Sequence, residues 1–246
     1  MKLRRTDGLV KMEVIGPDGV DRGYTTYGKD WWSNPDCPFR HRYLDLDSVY
    51  PPGYFEANRG HPTAEQAQQL HDYMQETYVA VLGQPFRSVL ELGCGGGEIT
   101  KAFKDAGLNY FAVEGTTAGV AKLAALGVPP ERITQADLRF VQSPIFEKTD
   151  LVMCTEVAEH LEPSFAAHLV GVCVRRLPRA VWFSAARGDG EAHYHHANEQ
   201  PIEYWDNLFA LFGYDRFVEL DRRFGRADRL YVAAYVQTTP EDAVPG

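Results

Sequence analysis

Glu156, Glu159 and His160 stand at i, i+3 and i+4 in the stretch E-V-A-E-H-L-E-P. If that turn is helical, the spacing puts all three on one face. Two carboxylates and an imidazole converging there could hold a divalent cation with oxygen preference, such as Mg²⁺ or Mn²⁺, and one more ligand would complete the set. A later stretch, A-H-Y-H-H-A-N-E-Q-P-I-E-Y-W, carries His193, His195 and His196 within four positions. Those imidazoles can serve as metal ligands, as a general base at neutral pH, or as solvated histidines beside a capped helix.

A second kind of chemistry is written in Val89 to Gly97, V-L-E-L-G-C-G-G-G, an apolar run that meets a carboxylate and then breaks into glycines. The run suits a strand, the glycines let backbone approach a ligand, and E-I-T-K-A-F can open a helix whose N–H groups face that ligand. The dinucleotide fingerprint G-x-G-x-x-G fails, because counting from Gly93 puts Glu98 at the third glycine. The pattern that fits is E-x-G-x-G-x-G, with Glu91, Gly93, Gly95 and Gly97. A carboxylate at the strand end repels a pyrophosphate and attracts an ammonium or sulfonium group.

This passage resembles motif I of the class I S-adenosylmethionine-dependent methyltransferases, whose cofactor carries both cations and no phosphate. Glu114 ends the next apolar strand, F-A-V-E-G, where an acid can accept hydrogen bonds from both ribose hydroxyls. Asp137, in Q-A-D-L-R, resembles the family's adenine-binding acid. Cys154 and Thr155, at the end of the fourth strand D-L-V-M-C-T, and Glu156 just after it should line the methionine end of the cofactor. The resemblance therefore implies a cofactor site of Glu91, Gly93, Cys94, Gly95, Gly97, Glu114, Gly115, Asp137, Leu138, Thr155 and Glu156.

E-x-x-E-H followed by a later loop histidine resembles the metal site of small-RNA 3′-terminal 2′-O-methyltransferases. E-V-A-E-H-L is also similar to ubiquinone-pathway O-methyltransferases, and to many relatives that need no metal. On the first resemblance the ligands are Glu156, Glu159, His160 and, by its spacing to the aromatic of the next helix, His196. On the metal-free reading His196, with His195 as its neighbour, deprotonates the acceptor, and Glu159 belongs to the same catalytic group.

The elements that must position these residues alternate from Arg87 onward. Strands are expected near 88–92, 109–114, 131–135, 149–155 and 179–184, with helices at about 97–106, 117–125 and 163–177. A helix over about 201–212, opened by Pro201 and stopped by Gly213, precedes strands near 215–220 and 229–237. The implied fold is α/β, a Rossmann-like seven-stranded, mostly parallel sheet with one antiparallel edge strand and helices on both faces. Residues 61–246 form that domain and open on a helix with Thr63 and Gln66 as a capping-box pair. Residues 1–60 are an aromatic-rich extension without sustained period, including Tyr24, Tyr27, Trp31, Trp32, Tyr43, Tyr50, Tyr54 and Phe55. It serves either as a lid over the substrate pocket or as packing on the sheet.

A chain of 246 residues can bury a full core, and its net charge of −9 argues against binding nucleic acid through the phosphate backbone. The basic cluster Arg222, Arg223, Arg226 and Arg229 is interleaved with Asp221 and Asp228 and reads as a solvated hairpin turn. Cys37, Cys94, Cys154 and Cys173 lack C-x-x-C spacing and read as reduced thiols, and Cys37 with His41 has no further zinc ligand nearby. Neither an apolar span of membrane length nor a secretory pattern is present, so a cytoplasmic, membrane-free protein is expected. The expected activity is methyl transfer from S-adenosylmethionine to an oxygen of a small polar molecule, a sugar or a natural-product intermediate. RNA 2′-O-methylation with a metal and a non-catalytic cofactor-binding subunit are the alternatives.

Overall fold

The computed structural model describes residues 3–6, 9–15, 21–28, 46–56, 61–141, 147–186, 196–219 and 230–238. His193, His195, Cys37, His41, Trp31, Trp32, Tyr43 and the basic cluster at 222–229, with the roles expected of them, lie outside these residues.

The amino-terminal residues form β1 (Leu3–Thr6), β2 (Leu9–Ile15) and β3 (Asp21–Gly28), an antiparallel sheet in the order β1-β2-β3. Sequence reading found no sustained period there. The signal is short, Val10, Met12 and Val14 alternating with Lys11 and Glu13, and it fits a strand of this length. Two short helices follow, α1 (Leu46–Val49) and α2 (Pro52–Glu56), and then α3 (Ala64–Leu82).

Thr63 and Gln66 build the expected capping box: the Gln66 N–H donates to Thr63 Oγ1 at 3.2 Å, and the Thr63 N–H donates to Gln66 Oε1 at 2.8 Å. Gly83 ends α3 with φ 75°, the left-handed conformation that glycine adopts without a Cβ penalty. The inward stripe is Ala67, His71, Met74 and Tyr78, with Leu70 partly buried beside it.

The larger sheet is built from β4 (Ser88–Leu92), β5 (Asn109–Glu114), β6 (Ile133–Gln135), β7 (Leu151–Thr155), β8 (Ala180–Ala186), β9 (Tyr214–Glu219) and β10 (Leu230–Gln237). Their order is β6-β5-β4-β7-β8-β10-β9, parallel from β6 through β8. The last strand of the chain, β10, slots between β8 and β9 and pairs antiparallel with both, so the sheet closes on an antiparallel ladder. The helices between strands are α4 (Glu98–Asp105), α5 (Thr117–Ala125), α6 (Ala166–Val174) and α7 (Ile202–Ala210). A 3₁₀ turn over Pro163–Phe165 replaces the first turn expected of α6.

Alternate residues of each strand feed opposite faces, which divides the core in two. Leu90, Leu92, Val152, Cys154, Val181 and Phe183 pack with α6 and with Trp205 and Phe209 of α7. Val89, Leu151, Met153, Ala180 and Trp182 pack with Met74 and Tyr78 of α3 and Phe103 of α4. The central strands β7 and β8 are therefore apolar along most of their length, as a sheet covered on both faces requires. Parallel strands all end at the same edge, so the loops after β4, β5, β6, β7 and β8 come together there.

Candidate functional site

Gly93, which begins the loop after β4, has φ 73°, and a Cβ added to it would lie 2.4 Å from Val157 Cγ2. Only glycine fits both the conformation and the approach. Glu91 lies just before it, 3% exposed, accepting the Thr100 hydroxyl at 2.5 Å. Burial pushes its carboxyl up to about 8; the Thr100 hydrogen bond pulls it down, and the charges of Glu114 and Glu98 raise it further. A cation brought to this place would favour the ionised form and reverse the shift.

Glu114, at the end of β5, turns one oxygen to the glycine loop and the other to the start of α5. Its Oε2 accepts from Gly95 N at 3.0 Å, and its Oε1 accepts from Thr116 N at 2.9 Å and Thr116 Oγ1 at 2.8 Å. Burial raises its carboxyl, and those hydrogen bonds oppose the shift. Gly115 follows, packed under Leu46. The Cys94 thiol turns into the core, donating to Val113 O at 3.3 Å, so this residue can offer a ligand its backbone only. Asp137 accepts at both oxygens from the Arg139 guanidinium, with Nε at 3.0 Å from each, and Arg139 is itself buried. Leu138 is in the core. Thr155 is half-buried at the end of β7, while Cys154 is buried in the core together with Cys173 and does not line the edge.

Beyond β7 the backbone takes an unusual course. Glu156 has φ 55°, a left-handed conformation rare outside glycine, and Ala158–His160 is a 3₁₀ turn. Glu156 is therefore not on the helical face that its spacing suggested. Its N–H donates to Ser184 O and Ser184 Oγ, each at 3.2 Å, and its Oε1 accepts from Ser184 Oγ at 2.7 Å. Glu159 is fully buried, and neither of its oxygens has a hydrogen-bond partner among the described residues. Burial first, and the charge of Glu156 second, hold its carboxyl well above the usual range.

The segment after β8 is sewn to this turn: Ala197 N and Asn198 N donate to Glu159 O at 2.7 and 2.9 Å. That closure carries His196 to His160, with the two rings edge-on at 4.9 Å. Glu159, His160 and His196 can each offer a ligand atom within 4.8 Å of the others. Glu156, the fourth candidate, is outside that group. Sequence reading missed Glu199, whose Oε1 lies 2.7 Å from His196 Nδ1. A carboxylate only accepts, so the imidazole proton sits on Nδ1, which makes Nε2 the basic nitrogen of the ring. The H-x-x-E spacing in H-H-A-N-E was the available signal.

Residues 46–56 and His61 lie across the same edge. Asp47 accepts from Thr117 N at 2.6 Å and Thr117 Oγ1 at 2.7 Å, Phe55 O accepts from Lys122 Nζ at 3.1 Å, and the ring of Tyr50 meets that of His160 at 6.0 Å. The carboxyl edge therefore presents a glycine loop, two buried carboxylates and a carboxylate–imidazole cluster, roofed by the amino-terminal segment.

Comparison with known proteins bears on this arrangement. Residues 90–177 match the family described as "Methyltransferase domain". Magnesium protoporphyrin IX methyltransferase of Synechocystis PCC 6803, solved with bound SAH, superposes with a TM-score of 0.57 at 16% identity, over 80% of this chain and 99% of that one. The 1,6-didemethyltoxoflavin-N1-methyltransferase of Burkholderia thailandensis, solved with its substrate and S-adenosylhomocysteine, gives 0.59 at 15% identity over 97% and 100%. The methyltransferase domain of bacterial CtHen1-C gives 0.51 at 20% identity over 70% and 98%. No curated protein matches the chain. No helix among the described residues is long and apolar enough to cross a membrane.

Proposed function

We propose that this chain, a class I S-adenosylmethionine-dependent methyltransferase by its fold and its methyltransferase domain, methylates an oxygen of a small polar molecule with the help of a divalent cation. The observation that carries the cation is Glu159, a fully buried carboxylate with no hydrogen-bond partner among the described residues, set against two imidazoles. A buried carboxylate beside another carboxylate is costly, and a bound cation removes the cost. Glu159, His160 and His196 would hold it. A donor set of one oxygen and two nitrogens suits Mn²⁺ better than Mg²⁺. Such an ion lowers the pKa of an acceptor hydroxyl and fixes its orientation.

The chain's own residues account for the rest. Glu91, Glu114, Asp137 and the loop from Gly93 to Gly97 bind and orient S-adenosylmethionine, whose sulfonium supplies an electrophilic methyl group. Alignment of donor and acceptor then provides much of the rate. Glu199 holds the Nδ1–H of His196 and so fixes the tautomer and orientation of that ring. The solved neighbours named above for magnesium protoporphyrin IX and 1,6-didemethyltoxoflavin act on small molecules, which supports that class of acceptor.

Metal analysis by inductively coupled plasma on untagged protein, with activity measured before and after chelation, tests this reading. Bound metal and loss of activity in EDTA are expected. Full activity in EDTA removes the cation and leaves His196 Nε2 as the general base. A second reading, 2′-O-methylation of RNA, draws on the same cluster and on the likeness to CtHen1-C; gel shift with short RNA tests it, and the net charge of −9 weighs against it.

A further inference from the structure

Two polar groups of opposite kind are left over where the glycine loop enters α4. His61, from the segment that precedes α3, lays its ring on the loop: the Gly96 N–H donates to His61 Nδ1 at 3.3 Å, and a Cβ placed on Gly95 would be 2.9 Å from His61 Cε1. Phe55 stacks on the ring with centroids 6.1 Å apart, and Tyr54 meets it edge-on at 5.8 Å. Because Nδ1 accepts, the proton of the neutral ring is on Nε2. Burial lowers the pKa of His61, which favours that neutral form. Nε2 is buried and has no acceptor among the described residues.

Glu98 lies on the other side of the same glycine. Its Oε1 pairs with Lys122 Nζ at 3.5 Å, and its Oε2 is buried without a donor among the described residues. A Cβ on Gly96 would be 2.2 Å from Glu98 Oε2 and 3.1 Å from His61 Cγ, so both side chains converge over that α-carbon. An unsatisfied donor and an unsatisfied acceptor over one glycine match a ligand that carries both a carboxylate and an ammonium. Uncompensated buried polar groups are uncommon in folded proteins and point to a missing partner.

We propose that His61 and Glu98 are the receptor for the amino-acid end of the cofactor, with His61 Nε2–H donating to its carboxylate and Glu98 Oε2 accepting from its ammonium. This rests on the reading of the glycine loop as an S-adenosylmethionine site. It makes the stretch that leads into α3 part of the cofactor pocket through one side chain.

Calorimetry on the full chain with two ligands tests it: S-adenosylhomocysteine, which has the amino-acid end, and 5′-methylthioadenosine, which shares the thioether nucleoside and lacks that end. His61→Phe keeps the ring packing and removes the donor. It should weaken S-adenosylhomocysteine by about 10- to 100-fold, the size of a hydrogen bond to a charged group, and leave methylthioadenosine unchanged. Glu98→Gln should follow the same pattern, and His61→Gln, which retains a donor, should recover most of the affinity. Unchanged methylthioadenosine binding also certifies that each variant is folded. Equal weakening of both ligands would assign His61 to packing alone and overturn the proposal, as would undiminished S-adenosylhomocysteine binding in His61→Phe. Wild-type protein that binds neither ligand would instead refute the cofactor site itself.

Discussion

Nδ1 of His196 lies 2.7 Å from Oε1 of Glu199, three residues further on, while the ring of His160 stands edge-on to His196 from a different loop. One imidazole is thus gripped by a carboxylate from behind and faces its partner in front. Such a grip fixes tautomer and orientation together. Glu199→Ala is expected to lower turnover or metal content by about 10- to 100-fold, the usual effect of losing a histidine's orienting carboxylate. S-adenosylhomocysteine affinity should stay at the wild-type value, measured by calorimetry, since Glu199 belongs to the acceptor side of the site.

Glu159 supports a prediction with two opposite signs. Replacing it with Gln removes an acid that burial holds far from its ordinary titration range. In EDTA the melting temperature of Glu159→Gln should therefore rise above wild type near neutral pH. Metal uptake, followed by inductively coupled plasma analysis, should fall. A variant that melts lower in EDTA and still takes up metal would contradict the role given to this residue.

Glu91 makes the cofactor-free fold sensitive to pH. Its carboxyl titrates at about 8 in the folded chain and near 4.5 when exposed, so the fold binds the proton more tightly than the unfolded chain does. The resulting stabilisation is complete below pH 4.5 and is lost as pH rises through about 8. Melting curves from pH 5 to 9 should show this decline, flattened in Glu91→Gln. A cationic ligand favours the ionised carboxyl, so cofactor affinity should strengthen with rising pH up to about 8 and then level off. No such trend should remain in Glu91→Gln.

Gly95 has φ 52° and backbone contact with Glu114 through its N–H. Gly95→Arg should abolish S-adenosylhomocysteine binding by filling the loop, with far-ultraviolet circular dichroism retained. Intact binding in this variant would show that the ligand lies elsewhere.

Much of the sheet was legible in the sequence for a local reason. Strands covered on both faces are short apolar runs, and Ser88–Leu92 and Asn109–Glu114 fall where their residues placed them. The capping box of Thr63 and Gln66 was equally plain, because both partners lie within one turn. The helix expected over 163–177 came out shorter, its first turn being 3₁₀ and its end set at Val174 ahead of Leu177, which has φ 52°. Such ends are settled by packing more than by propensity.

The site divides along the same line. Spacing grouped Glu159 and His160, and the family resemblance added His196, but the same spacing also enlisted Glu156 through a helical geometry that the turn does not adopt. Ser184 takes the Glu156 carboxylate instead, a partner 28 positions away that no local pattern announces. Arg139 on Asp137 and Glu199 on His196 were near neighbours in sequence, readable in retrospect from spacing of two and three.

The order of types along the chain determined that strands and helices alternate, that a flexible glycine turn follows an acid, and that carboxylates and imidazoles cluster after the fourth and fifth strands of the larger sheet, because hydrophobic period and backbone freedom are properties of neighbouring residues. Only the tertiary structure decided that β10 enters between β8 and β9, that the loop of His196 is bound to the backbone of Glu159, and that His61 comes to rest on Gly95 and Gly96. Those contacts join residues far apart in the chain, and their free energy depends on burial that exists once the whole sheet has formed.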